Sequence, residues 1–115
     1  LITAADLERQ IETDGSLALE EATLAAAAAL AVQPWGSGFP EPRFHDCFEV
    51  ASQRVVGGRH LKLKLLRESR PFDAILFGTT DTLPGRIAAV YRLDVNEYQN
   101  MRTLQLTLHH WHSAV

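Results

Sequence analysis

The chain has 115 residues and a net charge of −3, enough length for one compact domain with its own hydrophobic core. Its single cysteine, Cys47, excludes an intrachain disulfide and suits a reducing cytoplasm. The longest apolar run, Leu24 to Val32, is too short for a bilayer span, which needs ~20 residues, and no signal peptide is visible before the first charged, helix-like segment.

The modest net charge hides a division. Residues 1–42 hold one base, Arg9, against seven acids, whereas residues 43–115 hold ten bases against seven acids. Such asymmetry points mildly to an anionic partner for the second half, although from charge alone a solvated surface is the preferred reading. The chain begins at Leu1 rather than methionine, which reads as a piece of something longer.

In chain order, Thr3-Ala4-Ala5-Asp6 has capping-box spacing, and Leu7 and Ile11 then recur on one face, so a first helix is expected there. Asp14-Gly15 stops it. A second helix is expected from about Leu19 to Val32, with Glu20 and Glu21 near its positive end and an alanine-rich middle that can pack closely. The stretch from Gln33 to Pro42 carries three prolines and two glycines and forms an irregular connection. Trp35 and Phe39 within it are expected to dock rather than hang free.

After Arg43 the period changes from helical to two. A first strand, from about Arg43 to Val56, offers Phe44, Phe48 and Val50 inward, and Gly57-Gly58 supplies a tight hairpin. The second strand, His60 to Leu65, alternates leucines with His60, Lys62 and Lys64. A third runs from about Pro71 to Gly78. The fourth, Ile87 to Asn96, puts Ile87, Ala89, Tyr91, Leu93 and Val95 on one face, and the fifth, Arg102 to His109, turns Leu104, Leu106 and Leu108 inward. Five short strands in ~70 residues predict a mainly β chain with N-terminal helices and a small antiparallel Greek-key barrel. Period and spacing leave an OB-fold and an SH3-like barrel both open.

Ordered stretches along the chain resemble the C-terminal region of RecJ-type single-strand-specific DNA exonucleases. They are Pro34-Trp35-Gly36-Ser37-Gly38-Phe39-Pro40-Glu41-Pro42-Arg43-Phe44, the run Arg54 to Leu63, Phe72-Asp73-Ala74-Ile75, the run Tyr91 to Tyr98, and Leu104-Gln105-Leu106. The resemblance implies that residues 43–115 form a five-stranded OB-fold barrel that holds single-stranded DNA. It implies that residues 1–42 are the helical end and linker of a preceding nuclease lobe. It further implies a parent 5′–3′ exonuclease acting in recombination and repair, with a DHH core that binds manganese or magnesium. Two departures stand out: Asn100 occupies a hairpin position where the family often has glycine, and Thr79 to Arg86 is too short for the helix that many OB-folds place between strands three and four.

The catalytic signature is not in this piece. His109-His110 follows Leu108 rather than an aspartate, and the scattered acids form no cluster able to clamp two metal ions. His109, His110 and His112 read as surface histidines, since neighbours on a strand point to opposite faces, so a free-standing metal enzyme is a poor reading. Cys47 reads as a small filler or a sheet-surface residue.

The best functional candidate is the basic stripe: Arg54, Arg59, His60, Lys62 and Lys64, with Arg92 and Gln105 extending it if strands four and five lie alongside. Single-strand binders combine a positive groove with planar stacking groups. A soluble sheet face is an equally good account of these residues alone, and the resemblance tips the reading to DNA. Tyr98, at a strand end, is a stacking or hairpin-anchoring residue. The alternative function is a protein-interaction module that docks an acidic segment such as the tail of a single-strand-binding protein.

Overall fold

The computed structural model describes residues 13–35 and 41–114. The first predicted helix lies outside these residues, as does Phe39. The second resolves into two pieces, a 3-10 turn (Leu19–Glu21) and a helix α1 (Leu24–Ala31). The break falls at Thr23, whose backbone is extended and whose hydroxyl accepts from the amide of Ala26 at 3.1 Å. A hydroxyl residue that can cap α1 satisfies one of its orphan amides and favours a new start over a continuous helix. Beyond α1, the Trp35 indole donates to the carbonyl of Leu30 at 2.7 Å, so this aromatic docks on the helix end.

Five strands follow: β1 (Phe44–Val56), β2 (His60–Arg67), β3 (Arg70–Leu76), β4 (Arg86–Tyr98) and β5 (Met101–Ser113). They close into a barrel of order β1-β2-β3-β5-β4. All seams are antiparallel except β3–β5, where Asp73, Ala74 and Ile75 face Gln105, Leu106 and Thr107 in parallel. That one parallel seam follows from the connectivity: β4 crosses to the far side and β5 returns beside β3. Alternation fixes the register, because a one-residue slip would turn Leu61, Leu63 and Leu65 outward. Leu61, Leu63 and Leu65 are accordingly buried with Phe72, Ala74, Ile87, Ala89, Tyr91, Leu93, Leu106 and Leu108. Phe48 meets Tyr91 and Phe72 edge-on at the centre. Phe44 and Val50 pack against this core from partly buried positions.

Three details position the working surface. A register shift between Val50 and Ser52 lets the long β1 pair with β4 through its first half and with β2 through its second. Gly57 and Gly58 take φ of 60° and 66° in the β1–β2 hairpin, while Gln99 and Asn100 take 49° and 64° in the β4–β5 hairpin. Asparagine is thus tolerated where the family often has glycine. No helix separates β3 from β4. Instead Leu83, 3% exposed, packs into the core, held by Gln53, whose amide donates to the Leu83 carbonyl at 2.9 Å and accepts from its N–H at 2.7 Å.

The segment before the barrel is tied to it by polar contacts. Asp46 is 7% exposed and accepts from the Ser16 hydroxyl, from the Leu17 amide at 3.2 Å and from the Tyr91 hydroxyl at 2.6 Å, with Arg67 at 3.3 Å. Burial, and then the neighbouring Asp46 carboxylate, push the Tyr91 phenol far above its ordinary range, so it stays a donor. Arg70 donates to the carbonyls of Leu19 and of Ala22, the latter at 2.7 Å, and lies over the Phe72 ring. Leu17, Ala22 and Ala27 join the barrel core. No described helix is long and apolar enough to cross a membrane.

Candidate nucleic-acid interface

The outer face of the β1–β2–β3 meander is built by cross-strand rows. Arg54 stands opposite Lys62, and Lys62 opposite Ile75. In the next row Ser52 faces Lys64, and Lys64 faces Asp73. His60 pairs with Val56 at the hairpin end, and Arg59 sits in the turn itself. Of the predicted residues, Arg54, His60, Lys62 and Lys64 are therefore brought together on one side of the sheet, with Arg59 in the adjoining turn. Arg54, Lys62 and Lys64 line a shallow cleft of about 360 Å³ together with Ser52, Gln53, Leu63 and Asp73.

The charges on this face are not equivalent. Lys64 is paired with Asp73 at 2.5 Å, both about half exposed. Arg54, Arg59 and Lys62 make no ion pair among the described residues. One acid thus faces four bases, and three of those bases are uncompensated, leaving a positive surface around the cleft.

Gln105 and Arg92 lie further round the wall. Gln105 sits between Asp73 and Asp94 in the row that begins with Lys64. Arg92 is opposite Thr107, at the far end of the row that runs from Lys62 through Ile75 of β3 and Thr107 of β5. Its guanidinium is engaged by Asp94 at 2.8 Å, and that carboxylate also accepts from the Thr107 hydroxyl. The structure does not place Arg92 with the β1–β2 cluster.

Sequence reasoning passed over Phe77. It follows β3 directly, is 54% exposed and meets the His60 ring edge-on, with centroids 5.0 Å apart. Its signal was present: beyond Leu76 the period-two alternation turns residue 77 outward, yet the run from Pro71 to Gly78 reads as nearly all apolar. Tyr98 and Met101, facing each other at the β4–β5 hairpin, are 70% and 68% exposed.

The C-terminal histidines do not share one environment. His110 pairs with Val90 and His112 with Ala88, while His109 occupies a register shift between them and the Tyr91–Leu108 pair. Rather than lying on the surface, His109 is partly buried, with an Nε2 that has no hydrogen-bond partner among the described residues. Burial, with Arg43 and Arg92 nearby, lowers its pKa to about 4. Among the described residues no group of three or more His, Cys, Asp or Glu could hold a metal ion. Cys47 is exposed.

A closed five-stranded barrel with this strand order, a bent first strand and a charged outer meander defines an OB-fold, a class whose members carry ligands on the strand two–three face. The RecJ OB domain family matches residues 13–110, and the chain belongs to that family. It is 38% identical to the single-stranded-DNA-specific exonuclease RecJ of Dickeya dadantii (strain 3937), over 95% of this chain and 20% of the relative. To the RecJ of Escherichia coli (strain K12) it is 34% identical, over 89% of this chain and 19% of the relative. The chain thus spans about a fifth of the curated relatives it matches. RecJ of Thermus thermophilus, solved in complex with Mn2+, superposes with a TM-score of 0.68 at 20% identity, over 87% of this chain and 15% of that one. The same protein solved with Mg2+ gives 0.64 at 23% identity, over 80% and 15% respectively.

Proposed function

We propose that this chain is the single-stranded-DNA-binding OB module of a RecJ-like 5′–3′ exonuclease working in the cytoplasm in recombination and repair. In this reading Arg54, Arg59, His60, Lys62 and Lys64 contact the strand, and Arg92 and Gln105 extend the path around the wall. The observation that carries the proposal is the pairing of the uncompensated cations Arg54 and Lys62 on the outer meander of a barrel of this family, with Arg59 in the adjoining turn. The residues up to Pro42 join the barrel to a preceding nuclease lobe. The divalent metal, manganese or magnesium, and the hydrolytic residues belong to that lobe. This chain's own task is to hold and orient the unpaired strand.

The test is fluorescence anisotropy of a labelled single strand at two salt concentrations, with duplex as competitor. Each phosphate neutralised contributes roughly −0.7 to the slope of log affinity against log salt, so Arg54→Ala with Lys62→Ala is expected to flatten the slope by roughly 1.4. A salt-independent affinity, or a double variant indistinguishable from wild type, would refute the proposal. The same cationic face also fits an acidic peptide such as the tail of a single-strand-binding protein. Capture of that tail without any binding of bare DNA would replace the first reading with this one.

A further inference from the structure

We infer that Phe77 and His60 form a base-stacking subsite, the aromatic half of a surface whose cationic half is Arg54 and Lys62; the inference rests on the single-strand reading above. Phe44, Phe48 and Phe72 belong to the barrel core or pack against it, whereas Phe77 presents more than half of its surface to solvent. One exposed apolar residue is ordinary in itself. What sets this one apart is how it is held and what lies beside it.

The Phe77 and His60 rings stand at 80° to each other. The amide of Gly78 donates to His60 Nδ1 at 3.0 Å, which fixes the imidazole against the strand end. The imidazole is therefore oriented before any ligand arrives and offers the Phe77 ring an edge-on partner, so less side-chain freedom is lost on binding. The register puts this pair one row from Arg54 and Lys62: His60 and Lys62 are two residues apart on the same face of β2, about 6.8 Å along the strand. A nucleotide separates its phosphate from its base across the sugar by a comparable span. A strand whose phosphates follow Arg54 and Lys62 thus brings its bases over Phe77 and His60.

In the adjoining hairpin Gly57 and Gly58 carry no side chains, and a Cβ at either would meet nothing within 4 Å. The occupant is a single strand, because the bases of a duplex already stack on one another and present no free face. The stacking contribution needs no particular base, since every base has a π face.

The test compares wild type with Phe77→Ala and Phe77→Trp on two labelled strands of equal length, oligo-dT and an abasic strand, each at two salt concentrations. On oligo-dT, Phe77→Ala is expected to weaken binding by about five- to a hundredfold with an unchanged salt slope, while Phe77→Trp retains affinity. On the abasic strand, wild type and Phe77→Ala bind alike. An unchanged oligo-dT affinity, an equal loss on both strands, or a flattened salt slope for Phe77→Ala overturns the stacking role. So does loss of acidic-peptide capture with DNA binding intact. If wild type itself binds neither strand, the single-strand reading fails and takes the subsite with it. If wild type binds with a salt slope and Phe77→Ala matches it, only the subsite fails. Should Phe77→Ala not fold, Phe77→Trp decides the matter. Its added fluorescence must be quenched by oligo-dT and not by the abasic strand; quenching by both, or by neither, overturns the inference.

Discussion

Asp73 offers a perturbation that should improve binding. Its carboxylate sits in the middle of the cationic face, opposite Lys64 and bonded to it at 2.5 Å. The two side chains are 47% and 42% exposed, so the pair contributes only about 0–1 kcal/mol to stability. Asp73→Asn therefore leaves the fold intact while it frees Lys64 and removes one negative charge from the path of the strand. For a phosphate ~7 Å away in water, removing one unit of repulsion is worth about 0.6 kcal/mol, or about threefold in affinity. If the freed Lys64 also takes a phosphate, the salt slope steepens by roughly 0.7. The assay is anisotropy titration of a labelled single strand across a salt series, with the unfolding midpoint recorded in parallel. A variant that binds more weakly than wild type, or equally with an unchanged slope, would show that the strand does not pass over this row.

Two further outcomes test the scaffold. Asp46→Ala leaves Arg67 and the Tyr91 hydroxyl without their buried carboxylate and releases Ser16 and Leu17, so urea unfolding should show a loss of about 3–5 kcal/mol; a loss below about 1 kcal/mol would mean that the network is not holding the N-terminal segment. His109, depressed to about 4 by burial first and then by Arg43 and Arg92, is neutral in the fold but takes a proton when unfolded, near pH 6.5. Its contribution is present above that value and is lost as pH falls from about 6.5 through 4. His109→Gln should therefore gain stability relative to wild type across that window in paired thermal melts, and a pH-independent difference would contradict the assignment.

The strands were legible because β2 and β5 alternate cleanly and each is bounded by glycine, asparagine or a charged turn. The outward role of Lys62 and Lys64 followed from the same alternation. What period could not reveal was which strands become neighbours. The parallel β3–β5 seam depends on where the chain crosses, and that crossing decides that the row from Lys62 reaches Arg92 only after passing β3 and β5. Nor could it foresee β4, where Ala88 and Val90 are buried on the outer face and pack with Ala114, so that burial there runs continuously from Ile87 to Tyr91. The expected second helix was one element by propensity, yet local capping at Thr23 divided it.

The basic residues of the second half, indistinguishable by count, separate by what they touch. Arg67 and Arg70 anchor the N-terminal segment through Asp46 and through the carbonyls of Leu19 and Ala22. Lys64 and Arg92 are held by acids. Arg86 and Arg102 stand across from Glu49 and Glu97. Arg43, at the entry to the barrel, donates its amide to the Asp14 carboxylate at 2.9 Å. Arg54 and Lys62 remain, side by side on the outer face with Arg59 in the adjoining turn, near the exposed ring that the alternation of β3 turns outward. A surface designed only for solubility gains by interspersing opposite charges. Leaving three uncompensated cations together next to an exposed aromatic works against that, and it is the arrangement that an anionic strand with exposed bases would require.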